Sequence, residues 1–94
     1  MLKITKSVYN LIEEESINSG DRETGGTIAG TLNQFCGIRA TRPSPFAKRT
    51  SVSYANDSKH DTEELNKIIQ EFNGRVKLIG YWHKHPGLMS TPSM

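Results

Sequence analysis

The stretch Val76–Pro86, with the sequence VKLIGYWHKHP, decides the fold and carries the most informative side chains. Its first seven residues are mostly apolar and predict a strand at the centre of a sheet. A strand turns successive side chains to opposite faces, so His83 and His85 are expected to share a face. Lys84 is expected to point the other way. The proline that follows keeps His85 in an extended conformation.

Two imidazoles on one strand end can reach a single zinc ion at about 2.0–2.1 Å. They form half of a catalytic zinc site, because such sites have three protein ligands and an open position. The alternative is a surface pair of histidines without a ligand role. Barrel amidohydrolases also place His-x-His after a strand, but they need roughly 250 residues. A chain of 94 residues excludes that class.

The clearest helix precedes this strand. Its apolar positions follow the spacing i, i+3, i+4 and i+7, which predicts one buried stripe: Leu65, Ile68, Ile69 and Phe72. Asp61 is predicted to cap the helix and Asn73-Gly74 to end it. Glu63 and Lys67 are predicted to form an i,i+4 ion pair.

The N-terminal half predicts a short edge strand, one helix and further strands. Thr5 or Ser7 is expected to cap the helix, and Gly20 to end it. The helix is expected to have an apolar face at Val8, Leu11 and Ile12. A strand is expected over Gly26–Leu32, with Ile28 and Leu32 on one face, followed by a turn at Asn33-Gln34. The chain is then expected to return antiparallel over Phe35–Thr41, and a further short strand is expected over Ser51–Tyr54. The order predicts a single α+β or α/β domain over residues 1–94, with a mixed sheet flanked by helices.

Composition narrows the possible functions. The net charge is +2 and no basic run could track a phosphate backbone, so no nucleic-acid partner is expected. No stretch approaches the roughly 18 apolar residues of a membrane helix. The single cysteine, Cys36, excludes an internal disulfide and a cysteine-based zinc cluster, and is expected to be a buried thiol. These features favour a cytoplasmic protein. His60, in a polar helix entry, is expected to be solvated.

Glu23 stands just before Gly25-Gly26 and a predicted strand. Taken alone, it could be a turn residue. Beside a zinc half-site it gains a role, because metal-assisted hydrolysis needs a carboxylate to take a proton from water and pass it to the leaving amine. The two glycines, lacking side chains, would let the backbone approach the site.

Together, Glu23-Thr24-Gly25-Gly26, His83-Lys84-His85-Pro86 and Ser93 resemble the motif of JAMM (MPN-type) zinc metallopeptidases. That motif has an upstream glutamate, then His-x-His, seven residues, serine, two residues and aspartate. Seven residues separate His85 from Ser93. The resemblance covers nearly the whole chain. It implies an α/β fold of the JAB/MPN type, which is cytidine-deaminase-like.

The resemblance also implies the site and the reaction. His83 and His85 would bind Zn²⁺, Glu23 would be the general base, and Ser93 would help to hold the oxyanion of the tetrahedral intermediate. The bond cleaved would be a peptide or isopeptide bond at the tail of a ubiquitin-like protein. Two rival interpretations are an inactive MPN-like scaffold that binds partners, and non-catalytic metal storage or sensing.

The aspartate of the motif would fall two positions beyond Met94. From this we expect an N-terminal part of the domain that stops before its third metal ligand. A truncated domain of this kind is expected to be inactive alone and prone to self-association.

Overall fold

The computed structural model describes residues 2–20, 22–44, 48–49, 54–55, 58–84 and 91–93, and for residues 48–49, 54–55, 58 and 91–93 it describes the backbone. These residues form a small α/β domain. The elements, in chain order, are β1 (Lys3–Ile4), α1 (Lys6–Asn18), β2 (Thr24–Thr31), β3 (Cys36–Ala40), β4 (Lys48–Arg49), β5 (Tyr54–Ala55), α2 (Ser58–Glu71), β6 (Lys77–Lys84) and β7 (Thr91–Ser93).

Five of the strands form one mixed sheet in the order β1-β3-β2-β6-β7, while β4 and β5 pair with each other. β1 runs parallel to β3, and the other pairs of the large sheet are antiparallel. β6 therefore lies inside the sheet, between β2 and β7, as its apolar sequence predicts. The predicted strand over Ser51–Tyr54 is described only at Tyr54, which lies in β5.

The two helices contact opposite faces of this sheet. Ala40 of β3 packs against the apolar cluster that contains α1 residues Val8 and Ile12. Its neighbour Arg39 instead pairs with Glu71, the last residue of α2, and lies over the ring of Phe72, the next residue, at 5.0 Å from the ring centroid. Because consecutive strand residues point to opposite faces, α1 and α2 cover different sides.

The buried core lies between α1 and the sheet. It consists of large apolar side chains from three elements: Val8, Ile12, Ile28, Ile79 and Trp82. Burying a side chain of this size contributes about 1.5–3 kcal/mol. The predicted apolar face of α1 and the predicted core position of Trp82 are confirmed.

Strand β2 pairs irregularly with both of its neighbours and ends earlier than predicted. The register of β2 shifts against β6 between Ile28 and Ala29, and against β3 between Ala29 and Gly30. Strand β2 then ends at Thr31, so Leu32 lies in the following turn and is 58% exposed. The prediction that Ile28 and Leu32 lie on one face of this strand was wrong, because the strand ends before Leu32.

The start of α2 also differs from the prediction. The helix begins at Ser58, so Asp61 lies in its first turn rather than at its cap. A carboxylate is favourable there, near the positive end of the helix dipole. The ion pair on this helix joins Lys67 to Glu64 at 2.8 Å, not to Glu63, and this hydrogen bond lowers the pKa of Glu64.

Two polar residues lie in other surroundings than their sequence context suggests. His60 lies inside α2 rather than in a loop before it, and its side chain is partly exposed, with Nε2 3.3 Å from the carbonyl oxygen of Arg42. Cys36 is partly buried rather than enclosed.

Candidate functional site

The candidate site lies where the start of β2 meets the end of β6. In this antiparallel pair, Gly25 is opposite His83 and Thr24 is opposite Lys84. Glu23 immediately precedes β2 and therefore stands at the same end of the sheet as His83. Oε1 of Glu23 lies 3.1 Å from Nε2 of His83. Sheet pairing thus brings together two predicted site residues from distant parts of the chain.

The two side chains differ in exposure. The side chain of Glu23 is 6% exposed, whereas that of His83 is 35% exposed. The carboxylate is therefore shielded from bulk water, while the imidazole is open on one side. A contact of hydrogen-bond length between a carboxyl group and an imidazole holds both side chains in a defined geometry. The arrangement can take up a proton at the carboxylate and can offer a ring nitrogen to an external ligand.

The remaining predicted site residues are placed only in part. His85 lies outside the described residues. Ser93 lies in β7, where its backbone pairs with Tyr81, and Thr91 of the same strand pairs with His83. The strand that carries Ser93 is therefore the direct neighbour of the strand that carries His83.

The donors present agree with zinc in chemical type. Zinc in proteins is bound by imidazole nitrogen, thiolate sulfur and carboxylate oxygen. The described part of the site offers an imidazole nitrogen beside a carboxylate. Within the described ranges, no group of three or more His, Cys, Asp or Glu side chains is arranged to hold a metal ion. A full ligand set would therefore need His85 and a further donor.

Gly26 has a different role from the one expected. A methyl group at this position would lie 2.7 Å from Nε1 of Trp82 and would also meet the carbonyl oxygen of Thr41. These two groups are hydrogen-bonded to each other, the indole N–H donating at 3.0 Å. Gly26 thus makes room for a buried hydrogen bond on the α1 side, the face opposite His83.

The sequence predicts which face of β6 carries Lys84, but not the groups that Lys84 contacts. The prediction that it points away from His83 is confirmed, since it reaches the end of α1. Its Nζ donates to the carbonyl oxygen of Ser16 at 2.5 Å, to Oγ of Ser19 at 3.1 Å and to the carbonyl oxygen of Gly20. Alternation along β6 indicates the face, but nothing in the sequence indicates these acceptors.

Comparison with known proteins adds no family to this description. No model of a known protein family matches the chain, and no curated protein matches its sequence. Among the described residues, neither helix is long and apolar enough to cross a membrane.

Proposed function

We propose that this chain is a zinc-dependent peptidase domain of the JAMM type, which hydrolyses a peptide or isopeptide bond. The observation that carries the proposal is the 3.1 Å contact between Glu23 and His83. The motif assigns one of these residues to proton transfer and the other to metal binding. A mechanism of this kind needs the two side by side, and chance matches at two distant sequence positions need not meet in space.

His83 and His85 would hold the zinc ion, together with a carboxylate at the motif's aspartate position. When bound, zinc polarises the scissile carbonyl group and lowers the pKa of water. Glu23 would take the proton from the attacking water and deliver it to the nitrogen of the leaving amine. Its shielded carboxylate, held beside a metal-binding imidazole, is suited to both transfers because the proton travels only a short distance.

The substrate that we propose is the C-terminal tail of a ubiquitin-like protein, or a conjugate formed through that tail. The resemblance of the motif supports this substrate class. In the same proposal Ser93 would steady the oxyanion of the tetrahedral intermediate, and the neighbouring position of β7 agrees with that role. The proposal also includes a cytoplasmic location, which the single cysteine among 94 residues favours.

The experiment is a cleavage assay on a ubiquitin-like tail peptide with a fluorescent leaving group. The protein is stripped with a chelator and reloaded with zinc, and the chain is extended through the motif's aspartate position. We expect cleavage that is lost on chelation and restored by zinc. A tail peptide of scrambled sequence is the control for specificity. Cleavage that survives chelation, or an extended chain that binds zinc but cleaves nothing, would contradict the proposed function.

A further inference from the structure

Lys84 is a buried cation in an unusual place, on the strand residue between the two predicted zinc-binding histidines. The residue is only 8% exposed. Burying an ammonium group is costly unless its donors are satisfied. Its three recorded acceptors are two carbonyl oxygens and one hydroxyl, all from Ser16–Gly20. An ammonium group has three N–H donors, so this set matches its full capacity.

The acceptors belong to the C-terminal end of α1. The last carbonyl groups of a helix have no partners within the helix, and a positive charge is favourable there. The cap residue of α1 is Ser19, and Gly20 follows with a positive φ of 62°. Lys84 therefore clamps both the last turn of the helix and the residue at which the chain turns away from it.

This helix end leads directly to Glu23. The backbone N–H of Arg22 donates to the carbonyl oxygen of Ser19 at 3.1 Å, and Glu23 is the next residue. At the other end of the clamp, Lys84 is the chain neighbour of His83. One side chain thus ties the segment that presents Glu23 to the strand that presents His83.

We propose that Lys84 is a positioning residue, which holds the Glu23 carboxylate against the His83 imidazole by clamping the end of α1 to β6. The importance of this clamp for catalysis rests on the proposed function. The clamp itself is a property of the metal-free chain. It can therefore be tested without zinc or substrate.

The test is NMR of the His83 ring in metal-free protein, at one fixed pH. Glu23→Ala, which removes the carboxylate, supplies the reference signals for an imidazole that has lost this contact. Lys84→Met keeps most of the side-chain volume but removes the ammonium group, and it is expected to move the His83 signals most of the way to that reference. Lys77→Met, an exposed lysine on the same strand, is the matched control and should leave them in place. His83 signals unchanged in folded Lys84→Met would overturn the proposal.

Hydrogen exchange on the same variants separates local positioning from general stability. In Lys84→Met the amides of Ser19, Gly20 and Arg22 are expected to exchange roughly tenfold faster or more, because the Lys84 hydrogen bonds that anchor this segment are lost. Amides of residues 65–72 in α2 should keep their protection. Equal acceleration in both regions would mean that Lys84 merely stabilises the fold, and would also overturn the proposal.

A chemical rescue decides the case in which Lys84→Met does not fold. Lys84→Cys in a Cys36→Ser background is alkylated with bromoethylamine, which restores an ammonium group at nearly the same reach. A propyl adduct is the neutral match. The ammonium adduct should restore the wild-type His83 signals and the propyl adduct should not. Identical His83 signals in the two adducts, or loss of α2 protection in the propyl adduct, would refute a positioning role.

These outcomes are independent of the proposed function. If the chain fails to bind zinc but the ammonium group still controls the His83 signals, the clamp stands and the peptidase proposal falls. If zinc binds, and Lys84→Met leaves both the His83 ring signals and the hydrogen exchange unchanged, the clamp proposal falls and the proposed zinc site is unaffected.

Discussion

The contact between Glu23 and His83 gives the candidate site its chemical character. A buried carboxylate lies beside a half-exposed imidazole, which places the proposed general base next to the proposed zinc ligand. Glu23 would not attract notice from its own neighbours in the sequence, since a glutamate before Gly-Gly is ordinary in a turn, whereas His83 stands out through the His-x-His pair that it forms with His85. The two side chains form a candidate site because they are adjacent in space, and this proximity depends on the pairing of β2 with β6.

Replacing Glu23 by glutamine should separate proton transfer from metal binding. In the extended chain we expect zinc content to stay at the wild-type level and the cleavage rate to fall by roughly 10²–10⁴-fold, because an amide cannot accept the proton. Glu13→Gln, at an exposed position of α1, is the control and should not change the rate. Lost zinc would make Glu23 a ligand instead, and retained activity would remove it from the mechanism.

A methyl group at Gly26 should destabilise the fold without touching the site face. We expect Gly26→Ala to lower the free energy of unfolding by roughly 2–4 kcal/mol, since it crowds a packed region and disturbs a buried hydrogen bond. Urea denaturation measures this cost. The fluorescence of Trp82, the single tryptophan, reports the indole environment.

The control for Gly26 is Gly74→Ala, where an added methyl group meets no atom within 4 Å and only the positive φ of 76° is strained. That strain should cost about 1–2 kcal/mol. If Gly26→Ala costs no more than Gly74→Ala and leaves the Trp82 emission unchanged, the steric argument is wrong.

At the scale of the elements, hydrophobic spacing predicts which segments form, and long-range contacts set where they end. The apolar stripe that begins at Leu65 identifies α2, although its side chains are partly buried rather than buried as predicted and Phe72 lies just after the helix. The apolar run before His83 identifies β6. The start of α2 at Ser58 and the register shifts in β2 were not predictable. The register shifts depend on the pairing of β2 with β3 and β6, and β6 is far from β2 in the chain.

The N-terminal cap of α1 is an element feature that the sequence did predict. Oγ1 of Thr5 accepts from the backbone N–H of Val8 at 3.4 Å. Thr5→Ala should therefore cost about 0.5–2 kcal/mol of stability, the usual range for losing a cap. Ser7→Ala is the control, because Ser7 is the other candidate cap and is not the residue that caps the helix; its cost should stay below about 0.5 kcal/mol. The reverse order of the two costs, measured by thermal unfolding, would assign the cap to Ser7.

At the scale of the whole molecule, the sheet is what assembles the site. β6 carries His83 on one face, and on the other face it carries Trp82 and Lys84, which hold the core and the end of α1. The same strand therefore carries the predicted zinc ligand and anchors the segment that leads to Glu23. The sequence predicted the residues and their faces. It could not predict the clamp, because the acceptors of Lys84 are backbone groups of a helix far away in the chain.

Zinc titration by calorimetry tests the central claim most directly, because it asks whether the motif histidines form a metal site at all. Wild type should bind zinc saturably, and His83→Ala and His85→Ala should each weaken binding by at least about tenfold, since even a lost outer-shell partner costs that much. His60→Ala, whose imidazole lies by the Arg42 carbonyl group, should bind as wild type does. Equal zinc affinity in wild type, His83→Ala and His85→Ala would contradict the account.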